Sequence, residues 1–131
     1  MKYIFIIAFL IVSLWAGNFE KAVKAYNSKK YNKAIEFLKL SAEEGNLNAP
    51  HNLGYMYHNG KGVNQDYEQA LKWYKLSAEK GNSNSQLNIG SMYDKGEGVN
   101  QNDNKAKELF GKACDGGNAN GCKGYALLNK K

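Results

Sequence analysis

Residues 49–82 read APHNLGYMYHNGKGVNQDYEQALKWYKLSAEKGN, and residues 85–118 read SQLNIGSMYDKGEGVNQNDNKAKELFGKACDGGN. The two stretches match at a shift of 36 residues, most closely where both contain a Gly-x-Gly-Val-Asn-Gln segment. The segment KLSAE also occurs twice at the same spacing, at residues 39–43 and 75–79. A fixed period of 20–50 residues is typical of a solenoid, in which each unit buries its apolar face against the next.

Each unit is predicted to contain two antiparallel helices. Leu53 and Tyr57 recur at helical spacing and give the first helix an apolar stripe, while Gly60 ends it because glycine tolerates a left-handed turn. We expect N-caps at three asparagines: Asn48, Asn84 and Asn120. The sequence therefore predicts an all-α fold, a right-handed α/α solenoid of about three 36-residue repeats plus a C-terminal capping helix.

The predicted repeat domain covers residues 17–131, after a signal peptide over residues 1–16. Lys2 precedes an apolar run that is shorter than the ~20 residues of a spanning helix and that closes on small residues, as in secretory signals. We expect cleavage after Ala16 and no membrane attachment afterwards; the alternative is a run that stays uncleaved as a membrane anchor. Within the repeat domain, the helix pairs are expected at about residues 18–44, 48–80 and 84–116, and the capping helix at about 120–129.

The charge pattern bears on the class of partner. All 18 basic residues are lysines, against 12 acidic residues, which gives a formal net charge of +6. Sequence-specific DNA readers and phosphate clamps depend on the bidentate fork of arginine, and this chain has none. Its lysines are dispersed among glutamates rather than clustered. We therefore expect no nucleic-acid partner, although a weak attraction to acidic surfaces stays open.

The two cysteines, Cys114 and Cys122, both lie in the predicted exported part. An even cysteine count in a small exported domain predicts one disulfide. The alternatives are a redox pair, which usually has the spacing Cys-x-x-Cys, and a metal site, which needs about four ligands. A disulfide here would tie the capping helix to the helix before it.

The pattern within the first copy resembles the Sel-one-like repeat, a longer-looped relative of the tetratricopeptide repeat. It comprises Ala49, Leu53, Gly54, Tyr57, Gly60, Gly62, Val63, Asp66, Ala70, Trp73, Tyr74, Ala78 and Gly81. Within that family, Cys114 and Cys122 resemble the helix-linking pair of the Helicobacter cysteine-rich proteins, which are secreted and labelled penicillin-binding or β-lactamase-like. The resemblance implies a periplasmic or secreted bacterial protein, and it adds a weak β-lactamase or penicillin-binding hydrolase as the alternative function.

Whether the chain is an enzyme stays open at this stage. Ser77 and Lys80 have the Ser-x-x-Lys spacing of serine β-lactamases, but no Ser-Asp-Asn or Lys-Thr-Gly segment completes the set. The repeat also explains Ser77, because Ser41 is its equivalent and both suit a packing position. The only histidines, His51 and His58, can begin a metal site but cannot complete one. We expect no cofactor and no metal.

The first helices of a superhelical stack are expected to line a concave groove. The residues predicted to face it are His51, Asn52, Tyr55, His58, Asn88, Ser91, Asp94 and Lys123. The carboxamides of Asn52 and Asn88 suit an extended peptide backbone, and Tyr55 offers a flat contact with a polar tip. The alternative is that all of these are solvated polar positions. We expect an exported scaffold for a peptide or protein partner, with a peptidoglycan fragment or a β-lactam as further candidate ligands.

Overall fold

The structure, a computed structural model, describes residues 17–131, so the predicted signal peptide lies outside the described residues. Within the described part, seven helices and no strand form an all-α repeat solenoid, which confirms the predicted fold class. The helices are α1 (17–27), α2 (Tyr31–Glu43), α3 (Ala49–Asn59), α4 (Tyr67–Glu79), α5 (Ser83–Lys95), α6 (Asp103–Asp115) and α7 (Ala119–Leu128). None of the helices in this range has the length and apolar character needed to cross a bilayer.

The asparagines that cap the first helices lie two residues earlier than expected. The Asn82 side chain accepts a hydrogen bond from the third backbone N–H after it at 2.9 Å, and Asn118 does the same at 3.1 Å. Asn46 takes the equivalent place before α3 and accepts from two backbone N–H groups. The prediction of N-caps at Asn84 and Asn120 is wrong, because each Gly-Asn-x-Asn segment contains two asparagines and the first one leaves the turn in extended geometry.

Glycines set the turns that follow α2, α3, α4, α5 and α6, whereas the turn between α1 and α2 has Lys29 in left-handed geometry. Gly60 and Gly96 end α3 and α5 in left-handed geometry, with φ of 63° and 71°. Gly81 follows α4 with φ of 88°, a value that non-glycine residues rarely adopt. Pro50 lies in the first turn of α3, where a missing N–H costs little, whereas Asn48 occupies the N-cap position without a side-chain cap bond. These turns fix the antiparallel arrangement of each helix pair.

Small residues let the two helices of a unit approach closely. Gly54 on α3 faces the ring of Tyr74 on α4, and Gly90 on α5 faces Phe110 on α6. A Cβ atom added to Gly54 would lie 2.5 Å from the Tyr74 ring, and one added to Gly90 would lie 2.8 Å from the Phe110 ring. Ala70 is fully buried between its neighbours. In each of these two helix pairs, the core therefore contains a contact between an aromatic ring and a glycine.

The C-terminal helix α7 is a half-repeat that packs on one neighbour. Gly121 and Gly124 bring its backbone close to Phe110 of α6. A disulfide joins Cys114, near the end of α6, to Cys122, near the start of α7, with the two Cα atoms 4.5 Å apart. The predicted disulfide is confirmed, and it ties the half-repeat to the last complete helix pair.

Candidate functional site

One face of the stack is formed by equivalent positions of successive first helices. At the 36-residue period, residues 51, 87 and 123 correspond to one another, as do residues 52, 88 and 124 and residues 55, 91 and 127. All nine line one of two cavities. Equivalent positions of a solenoid point the same way, so both cavities open on the same side. We call the surface formed by these nine residues the groove face.

The N-terminal cavity lies between α1, α2 and α3 and has a volume of about 320 Å³. Its lining consists of Ala22, Val23, Tyr26, Leu38, His51, Asn52, Tyr55 and Met56. Ala22, Leu38 and Met56 belong to the buried core and form its apolar floor. Val23 and Tyr55 are 40% and 42% exposed and stand at its mouth. The result is an apolar recess with an accessible rim.

Burial favours the neutral forms of two polar groups in the N-terminal cavity, His51 and Tyr26. Burial lowers the pKa of His51, whose Nδ1 shares a hydrogen bond of 2.7 Å with the buried Ser85 hydroxyl. Burial, and then the neighbouring phenol of Tyr55, raise the pKa of Tyr26. No lysine or carboxylate belongs to the lining of this cavity. It therefore presents an uncharged surface at neutral pH.

The C-terminal cavity lies between α5, α6 and α7 and is larger, about 610 Å³. Its lining consists of Leu87, Asn88, Ser91, Asp94, Phe110, Asn120, Lys123, Gly124, Leu127, Leu128 and Lys131. Leu127 is 65% exposed, so this cavity also has an accessible apolar wall. Two lysine side chains, those of Lys123 and Lys131, outnumber the single carboxylate side chain, that of Asp94. The two cavities thus differ in charge as well as in size.

Polar contacts close the surface between the two cavities. The His51–Ser85 hydrogen bond joins α3 to α5, and His58 Nε2 lies 2.8 Å from a carboxylate oxygen of Glu97, in the loop after α5. Burial raises the pKa of the Tyr74 phenol well above its usual value, and a hydrogen bond with the Asn88 side chain opposes part of that rise. These contacts fix the relative position of α3 and α5, and so the spacing of the cavities.

The structure divides the predicted groove residues into three places. Those in the N-terminal cavity are His51, Asn52 and Tyr55, and those in the C-terminal cavity are Asn88, Ser91, Asp94 and Lys123. His58 lines neither cavity and instead pairs with Glu97.

Sequence reasoning missed Val23 and Tyr26 because α1 is followed by a shorter turn than the other first helices, so the 36-residue period does not align it. An alignment on helix ends, residue 27 with residue 59, would have found them.

The candidate nucleophile, Ser77, has no access to a substrate in this geometry. Ser77 is fully buried and its hydroxyl has no hydrogen-bond partner, and the equivalent Ser41 shows the same burial and the same lack of a partner. Lys80 is exposed at the end of α4. Both serines occupy a packing position of the repeat. Among residues 17–131, no three His, Cys, Asp or Glu side chains lie close enough to hold a metal ion.

The Sel1 repeat, a helical repeat whose proteins typically mediate interactions with other proteins, matches residues 28–46, 49–82 and 83–118 of this chain. No curated protein matches the chain. Among solved structures, a Sel1 repeat protein from Oxalobacter formigenes shares 30% identity over 96% of this chain and 98% of its own, with a TM-score of 0.78.

Two further solved structures are similar. A protective antigen of uropathogenic Escherichia coli strains, with an SLR fold, shares 32% identity over 82% of this chain with a TM-score of 0.78, and the match spans 24% of that antigen. Helicobacter pylori cysteine rich protein B shares the fold at 24% identity, with a TM-score of 0.67, over 83% of this chain and 92% of its own. The three matched repeats, together with these neighbours, confirm the resemblance found in the sequence: the chain belongs to the Sel1 repeat family.

Proposed function

We propose that this chain is an exported helical scaffold that binds a peptide segment of a partner protein on its groove face. The observation that carries the proposal is the placement of nine equivalent repeat positions, on three successive first helices, around two cavities on one side. Such a face offers recesses for side chains at two points and a continuous surface between them. An extended segment matches that shape better than a compact small molecule does.

The groove face carries the groups that peptide recognition needs. Asn52 and Asn88 hold equivalent positions, and their carboxamides can both donate to and accept from a peptide backbone. Tyr55 presents a large aromatic surface that is 42% exposed. Tyrosine contributes much contact area for little lost conformational freedom, which is why binding surfaces favour it. The alternative interpretation, of solvated polar positions, does not account for the apolar recess beside them.

Export is part of the same proposal. A disulfide between Cys114 and Cys122 persists in an oxidising compartment such as the periplasm or the exterior of a bacterial cell. The predicted signal peptide supplies the route. A test is to express the full chain in a bacterium, fractionate the cells, and determine the N-terminus of the product by mass spectrometry. Export predicts loss of the first 16 residues, and an intact N-terminus in the cytoplasm would overturn this part.

The binding proposal is tested with a library of random-sequence peptides selected on the oxidised protein. We expect enriched peptides that bind the parent and lose affinity at least tenfold for a variant with Asn52→Ala and Tyr55→Ala. The matched control carries Lys39→Ala and Lys72→Ala, two exposed positions on the second helices, and should bind like the parent. If no peptide is enriched, or if both variants bind equally, the groove face is not a peptide site.

The hydrolase alternative gains no support from the buried Ser77. It is tested by incubating the oxidised protein with a chromogenic β-lactam, beside a Ser77→Ala variant, and by looking for a covalent mass adduct. Turnover or an adduct that is absent from the variant would show that Ser77 becomes accessible and would replace the scaffold proposal by an enzyme.

A further inference from the structure

We propose that the ligand of the groove face is an extended acidic peptide segment with one large apolar side chain about six residues away from a carboxylate. The apolar side chain enters the N-terminal cavity, and the carboxylate meets Lys123 at the C-terminal cavity. This ligand chemistry rests on the proposed function and adds to it a charge, a spacing and an orientation.

The N-terminal cavity fits a single large apolar side chain. Its volume of about 320 Å³ accommodates even the largest side chain, and its floor consists of the buried residues Ala22, Leu38 and Met56. Burial lowers the pKa of His51 and raises that of Tyr26, and no lysine or carboxylate belongs to the lining, so a charged group placed there would lose water without gaining a partner. An aromatic or large aliphatic residue is the occupant that this lining favours.

The C-terminal cavity favours a carboxylate. Lys123 forms no ion pair within the part of the chain that the structure describes, and Lys131 is held only by an exposed contact of 3.6 Å with Asp103. Asp94 has the single carboxylate side chain in the lining. The formal net charge is +6 for the whole sequence and +5 once the predicted signal peptide, with Lys2, is removed, so the surface attracts an acidic segment and disfavours a basic one. Exposed ammonium groups are worth little each, so we expect the charge to contribute selectivity more than affinity.

The spacing follows from the order of the helices. The N-terminal cavity lies between the first helices α1 and α3, and the C-terminal cavity lies between α5 and α7. Packed helices stand about 10 Å apart, so the two cavities are separated by two helix steps, or about 20 Å. An extended peptide advances about 3.3 Å per residue, so about six residues bridge that distance. The His51–Ser85 and His58–Glu97 contacts hold the two middle helices at this separation.

The test uses fluorescein-labelled twelve-residue peptides of Gly, Ser and Thr that carry one Trp and one pair of Asp residues. The separation between Trp and the Asp pair is set at two, four, six, eight or ten residues, and binding is followed by fluorescence anisotropy. We expect the tightest binding near a separation of six. Replacing Trp by Ala should weaken binding more than tenfold, and replacing the Asp pair by Lys should weaken it more than tenfold as well.

Variants of the protein assign each end of the peptide to its cavity. Val23→Lys places a charge at the mouth of the N-terminal cavity and should remove the preference for Trp, while Val23 is exposed enough for the variant to fold. Lys123→Glu should remove the preference for Asp over Lys. Lys72→Glu, the same charge change at an exposed position on α4, is the matched control and should leave both preferences intact.

Three results would overturn the inference: equal binding of Asp and Lys peptides, affinity that does not depend on the separation, or preferences that survive both cavity variants. Its failure is distinguishable from failure of the proposed function. If the random library yields groove-face binders that lack this pattern, the peptide-binding scaffold stands and the ligand chemistry is wrong. If no peptide from either source binds, both are wrong.

Discussion

The contact between Gly54 and Tyr74 gives a sharp test of the packing. A Cβ atom at position 54 would lie 2.5 Å from the Tyr74 ring, whereas carbon atoms in ordinary contact are about 3.5–4.0 Å apart. The ring cannot turn away freely, because Tyr74 is 2% exposed and its ring centroid lies 5.7 Å from that of His51. Gly54→Ala therefore forces either α3 or the ring to move by about 1 Å, in a core that tolerates little overpacking.

The magnitude follows from two opposing effects. Overpacking a well-filled core costs about 1–3 kcal/mol, and replacing glycine by alanine inside a helix returns about 1 kcal/mol. We expect a net loss of about 1–2 kcal/mol, because the clash involves a buried ring rather than a flexible end. For a domain of this size that loss lowers the melting temperature by about 4–8 °C. Thermal and urea unfolding of the oxidised protein, followed by far-ultraviolet circular dichroism, measure both quantities.

Gly111→Ala is the matched control. Gly111 also lies within a helix, α6, but a Cβ atom there would lie 3.3 Å from the ring of Tyr125, which is 39% exposed and free to shift. We expect this variant to be as stable as the parent or more stable by up to about 1 kcal/mol. A lower free energy of unfolding for Gly54→Ala, together with an equal or higher one for Gly111→Ala, supports the packing described here. If Gly54→Ala is as stable as the parent, the close approach of α3 and α4 is wrong.

Three further predictions concern the disulfide and the titrating groups. Replacing Cys114 and Cys122 by serine should lower the free energy of unfolding by about 2.5 kcal/mol, since the bridge closes a short loop; an unchanged urea midpoint would show that α7 docks without it. Burial lowers the pKa of His51 below its usual 6.5, so the unfolded chain binds the extra proton first and stability falls as the pH drops below about 6.5. His51→Gln should show a smaller loss between pH 7 and pH 5 in parallel melts, and equal losses would contradict this. Burial raises the pKa of Tyr74 and Tyr26 above 10, so stability should hold up to about pH 10 and fall above it, as the unfolded phenols ionise first. A Tyr74→Phe variant should lose less stability above pH 10 than the parent, and equal losses would contradict burial of the Tyr74 phenol.

The 36-residue period of the sequence predicted the turns and helices that recur in each unit, and it missed the contacts that occur only once. Glycines at 60 and 96 mark equivalent turns, so the helix pairs could be placed from the order of residues alone. The His58–Glu97 pair could not be found this way, because the residue equivalent to Glu97 is Lys61 and the contact occurs at only one of the junctions. A contact between units joins two residues that are not at equivalent repeat positions, so the period carries no information about it.

The groove face likewise has features that the sequence predicts and features that it does not. Asn52, Tyr55 and Asn88 were placed on the groove face from helical spacing alone, and the structure brings them to the two cavities. Spacing could not show that the face carries two separate recesses with different charge, since each recess needs a helix from outside the matched 36-residue copies. Val23 and Tyr26 come from α1 and Leu127 and Lys131 from the chain end, where the pattern is shortest.

The central claim is that the groove face is where this scaffold binds a peptide. The most direct measurement is a nuclear magnetic resonance titration of the isotope-labelled, oxidised protein with a peptide enriched from the random-sequence library. The account predicts amide shift changes concentrated on α1, α3, α5 and α7, at the residues that line the two cavities, with little change on α4 and α6 beyond Phe110. Changes concentrated on the exposed sides of the second helices, or no changes at millimolar peptide, would contradict it.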